Sequence, residues 1–61
     1  EAMGVFKDYV KAVKALNANS KELRNDIAGA VSTILYDGGD FEDYEFDILT
    51  ADQFDTIKDI I

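Results

Sequence analysis

Six carboxylates crowd eleven residues of this chain: Asp37, Asp40, Glu42, Asp43, Glu45 and Asp47. Oxygen ligands at that density could hold a hard cation such as calcium, which takes about six to eight of them. The order of the residues argues against it. The acids and Gly38-Gly39 do not fall at the offsets of an EF-hand loop, and no glutamate stands where one would close the site. In an extended segment the odd-numbered acids also line one face instead of converging. No metal ligand is assigned on these grounds.

Two carboxyls held across a cleft could serve as general acid and base. A chain of 61 residues with this pattern leaves little material for such a cleft. Asp37-Gly-Gly-Asp40 offers glycines for a phosphate cradle but sets a carboxylate on each side, which repels phosphate. The chain has no His and no Cys, which removes the usual zinc ligands, a thiol nucleophile and a Ser-His-Asp triad. Disulfide stapling is equally impossible, so nothing marks a small secreted scaffold, and a cytoplasmic protein is expected. No catalytic residue and no cofactor are assigned; the expected class is non-enzymatic.

The aromatics carry the other chemistry. Phe41, Tyr44, Phe46 and Phe54 fall within fourteen residues, interleaved with acid. Interleaving with bases would suit stacking on nucleic acid; interleaving with acids repels phosphate and disfavours direct binding. In the plainer reading Tyr44, Phe46 and Ile48 cover the open side of the helices. In the functional reading Asp40, Glu42, Asp43, Tyr44, Glu45, Phe46 and Asp47 form a contact surface for another protein with a basic surface, in an interaction or regulatory module. The alternative is a DNA mimic, in which rows of carboxylates imitate phosphates toward a basic nucleic-acid-binding protein. Lys7, Lys11 and Lys14 form a second row, read as the solvated flank of a helix or as a docking stripe for an acidic segment.

Three helices must position these groups. Over 4–17, Phe6, Tyr9, Val10, Val13 and Leu16 recur at steps of three and four and make one apolar face. Asn17-Ala-Asn-Ser20 then favours a turn. Over 20–37, Leu23, Ile27, Ala30 or Val31, and Ile34 form the stripe, widened by Leu35. Asn19 is the expected cap, with Glu22 completing a capping box. The Ala28-Gly29-Ala30 patch suggests close approach of another helix, most simply the first. Gly38 and Gly39 supply a left-handed stop. Thr50-Ala-Asp-Gln53 is a second capping box, with Leu49 and Phe54 placed as a hydrophobic staple. Phe54, Ile57 and Ile60 or Ile61 continue that helix.

Between the second and third helices, Tyr44, Phe46 and Ile48 alternate with Asp43, Glu45 and Asp47, the period of a half-buried strand. No second strand is available to pair with it, so an extended arm is expected. The fold class is thus mainly α: a small three-helix domain over 1–61 with an acidic arm between helices 2 and 3. The alternative is α+β, with a short strand at 43–49. The start, Glu1-Ala-Met-Gly4, reads as a cloning scar or the edge of an excised piece, so the domain could belong to a longer chain.

Charge and size bound the whole. Lys and Arg total 6 against 13 Asp and Glu, for a net −7. Residues 1–24 carry five cations and three anions, a local +2, whereas 25–61 carry ten anions and Lys58, a local −9. That polarity suits a basic partner or head-to-tail self-association, and disfavours anionic lipid. No apolar run approaches membrane-spanning length. Apolar burial for this mass contributes roughly 90 kcal/mol, and ordering the chain costs about the same. Strong local helix signals therefore matter to whether it folds.

Overall fold

The computed structural model describes residues 2–61, with side chains from Phe6 onward; Glu1, counted among the anions above, and the reading of the chain's start lie outside that description. Helix α1 spans Ala2–Leu16 and α2 spans Lys21–Ser32, running on through a π turn at Thr33–Asp37. A short 3-10 turn at Phe41–Asp43 leads into an irregular segment, and α3 spans Ala51–Ile60. The expected three-helix architecture with an arm between the second and third helices is what forms.

The helix ends follow from local chemistry. Asn17 adopts a left-handed conformation with φ 53°. The Ala18 N–H donates to the Val13 carbonyl at 3.1 Å and the Asn17 N–H to that of Lys14 at 3.2 Å, the two bonds of a Schellman stop. The cap of α2 is Ser20, one residue beyond the expected Asn19: its hydroxyl accepts the Leu23 N–H at 3.1 Å. The Asn19–Glu22 capping box does not form, because α2 starts at Lys21 and its third position is Leu23, which has no side-chain acceptor. Gly38 ends the π turn with φ 60° as expected, its N–H donating to the Thr33 carbonyl. At Thr50 the full capping box is present: the Gln53 N–H donates to Thr50 Oγ1 at 3.2 Å and the Thr50 N–H to Gln53 Oε1 at 2.9 Å.

The core gathers Ala12, Ala18, Ile27, Ala30, Val31, Leu49, Phe54 and Ile57. Leu49 and Phe54, the two staple positions, are both buried in it. Tyr9, Val13, Leu16, Leu23, Ile34, Ile60 and Ile61 pack around this centre. Two stripe assignments shift. Phe6 is 67% exposed, because the buried face of α1 centres on Ala12, Leu16 and Tyr9, about 80° around the helix from Phe6. Leu35 is 41% exposed: it lies in the π turn at Thr33–Asp37, where the regular four-residue step from buried Val31 is lost.

No strand forms among the described residues, so the 43–49 strand alternative is replaced by an irregular path. The physical reason is a side chain from α2. Asp26 accepts the N–H groups of Asp47, Ile48 and Leu49 at 3.3, 2.7 and 3.0 Å. Successive N–H groups of a strand point in opposite directions. Three in a row can meet one carboxylate only where the chain bends into a concave nest. The bend breaks the two-residue period: after half-buried Phe46, Asp47 and Ile48 are both exposed, and burial resumes at Leu49.

Candidate functional site

The site begins at Asp26. Its carboxylate is buried on the inner side of α2, and burial works against its charge. The Ile48, Leu49 and Asp47 N–H donors outweigh that cost and hold the carboxyl below the ordinary aspartate range. The result is a charged clasp that fixes the end of the arm to α2 and delivers the chain to the Thr50 cap.

The aromatic cluster legible in the sequence fixes the start of the arm. Phe41 and Phe46 stack with centroids 5.5 Å apart, and each lies 5.8 Å from buried Phe54. Tyr44 leans on Phe46 at 4.7 Å. Phe46 is therefore half-buried packing, while Tyr44 keeps 48% of its surface in solvent. At Gly29 the close neighbour is the Tyr44 ring. A Cβ added at Gly29 would stand 3.2 Å from both Cζ and Oη of the Tyr44 ring. Ala30, by contrast, is buried in the core.

The six carboxylates separate into distinct roles. Asp40 Oδ1 pairs with Lys58 Nζ at 3.0 Å, the one ion pair among the described residues, and both side chains are largely exposed. Asp43 Oδ2 accepts the Asp40 N–H at 2.9 Å and steadies the 3-10 turn. Asp37, Glu42, Glu45 and Asp47 are exposed. No group of three acids among the described residues converges to hold a metal ion. Lys7, Lys11 and Lys14 stand exposed along α1 and make none of these bonds.

Beside Tyr44 lies an open groove of about 480 Å³. It is lined by Ala28, Gly29, Ser32 and Thr33 together with Tyr36, Asp37 and Tyr44. A smaller hollow of about 320 Å³ lies between the 3-10 turn and α3, bordered by Asp40, Glu42, Asp55 and Lys58.

Asp26, Tyr36 and the groove escaped the sequence reading. The signal for Asp26 was its place one step from Ile27, three residues after Leu23 and four before Ala30, on the apolar stripe. A charge there must find partners. Tyr36 gave no comparable signal beyond being an aromatic just before the Gly38 stop.

Comparison with protein-family models, with curated proteins and with solved structures finds no match to this chain. The fold and site define a class in structural terms: a small three-helix domain carrying a clasped acidic arm. No described helix is long and apolar enough to cross a membrane.

Proposed function

We propose that this chain is a non-enzymatic protein–protein interaction module whose acidic-aromatic arm docks on a partner with a basic surface. The observation that supports it is the clasp. Three consecutive backbone N–H groups on one buried carboxylate give a segment outside any helix a single path. Along that path Glu42, Tyr44, Glu45 and Asp47 stay exposed. A surface ordered in advance loses less conformational entropy when it docks. Its uncompensated negative charge steers a basic partner toward it. A cytoplasmic setting suits a domain that uses no disulfide.

The DNA-mimic alternative has weaker support. Asp40 is already paired with Lys58, and Asp43 is turned toward a backbone N–H, which shortens the row of free carboxylates.

The test is affinity capture from the native source with the immobilised chain and with a Glu42→Gln, Glu45→Gln, Asp47→Asn triple variant. These side chains are exposed, so the circular dichroism of the variant should match that of the parent. Capture of a specific basic protein by the parent, lost with the variant and weakened by salt, is the expected result. Equal capture of that protein by both chains would remove the arm from the interaction.

A further inference from the structure

We infer that the groove between α2 and Tyr44 receives an arginine side chain from an extended basic segment of the partner. This rests on the reading of the arm as a docking surface and names the chemistry that one part of it takes.

Two aromatic side chains line the groove, Tyr36 at 67% and Tyr44 at 48% exposure. The Tyr44 side chain is set in advance. Its ring rests on Gly29, where a Cβ would stand 3.2 Å from it, and leans on Phe46 at 4.7 Å. Ala28 and Ser32 contribute only small side chains to the lining, and the volume of about 480 Å³ lies within the range of ligand clefts. Asp37 is the charged residue of the lining, and no Lys or Arg contributes to it. The occupant follows from charge complementarity. Residues 25–61 carry ten anions against one cation, so an anionic or neutral occupant gains nothing from the field. A guanidinium is flat, weakly hydrated and able to stack on a tyrosine face while its N–H fork meets a carboxylate. An ammonium is a compact, strongly hydrated point charge and uses the aromatic rings less well.

The probe is a short acetylated and amidated serine–arginine repeat peptide, titrated into the 15N-labelled full chain. Lysine and citrulline versions of the same peptide serve as comparisons. Amide resonances of Gly29, Ser32 and Tyr36 should move with the arginine peptide. Affinity should fall severalfold with lysine and be lost with neutral citrulline. Tyr36→Ser should weaken arginine binding about fivefold, the size of one exposed cation–π contact. The ring is mostly in solvent, so the melting temperature should hold; Tyr44→Ser serves as the second variant. Equal binding of the arginine and lysine peptides, indifferent to both substitutions, would overturn the inference. So would the absence of any shift up to several millimolar peptide. Shifts confined to Glu42–Asp47 would overturn the groove while leaving the arm as a docking surface, which the capture experiment decides on its own.

Discussion

Asp26 stands on the inner face of an amphipathic helix, where an unpartnered carboxylate would cost several kcal/mol. Three backbone donors satisfy it, and hydrogen bonds to a charged group each contribute about 1.5–3 kcal/mol. An asparagine side chain in its place keeps an acceptor oxygen but loses the charge and brings in a donor that the nest cannot use. Asp26→Asn should cost about 2–4 kcal/mol in urea unfolding, a large part of the stability of so small a domain. The pH dependence follows from the direction of the shift. An aspartate ionises near 3.9 in the unfolded chain, and Asp26 ionises below that in the fold. Its contribution is therefore complete above about pH 5 and is lost as pH falls through the folded-state value. The parent should lose stability along that acid limb, and the Asp26→Asn variant should show a flatter one when unfolding midpoints are compared between about pH 5 and pH 2.

At the scale of elements, the end of α1, the start of α2, the stop at Gly38 and the start of α3 are set by caps that act over three to six residues, a range short enough to be legible. Thr50 with Gln53, the Gly38 stop and the turn at Asn17 are each written in adjacent residues. Asn17 also leaves room for improvement, since glycine holds a left-handed conformation without a Cβ penalty. Asn17→Gly should raise stability by about 0.5 kcal/mol, readable as a shift in the thermal midpoint. The arm was legible only in part. Its aromatics announced the cluster with Phe54, and its alternation suggested a strand that does not form. The determinant of its path is a side chain 21 to 23 residues away, and no periodicity within the arm could reveal it. The cap of α2 lies one residue past the expected one for a simpler reason: Asn19 and Ser20 are both good caps, and only the bond to Leu23 distinguishes them.

For the molecule as a whole, small size and uneven charge act together. The accessible surface is 4162 Å², close to the roughly 3,900 Å² expected for this mass, so the fold reaches about the burial its size allows. Like charges are concentrated on the half of the chain that holds the arm and α3, and only Lys58 answers them within that half. Their mutual repulsion opposes the fold and is screened by salt. Raising the salt from low ionic strength to about 0.3 M should therefore raise the melting temperature, by about 2–4 °C for a gain of about 0.5 kcal/mol. A fall in melting temperature would mean that the Lys58–Asp40 pair outweighs the repulsion.

The clasp has one more consequence, for how the arm can change over generations. Asp26 holds main-chain N–H groups and reads no side chain at positions 47, 48 or 49. Proline is the residue it forbids there, for want of an N–H. Exposed residues such as Glu45, Asp47 and Ile48 are free to vary while the backbone keeps its course. The path of the arm and the identity of what it displays are separately inherited, so the same scaffold could acquire a new partner without first having to refold.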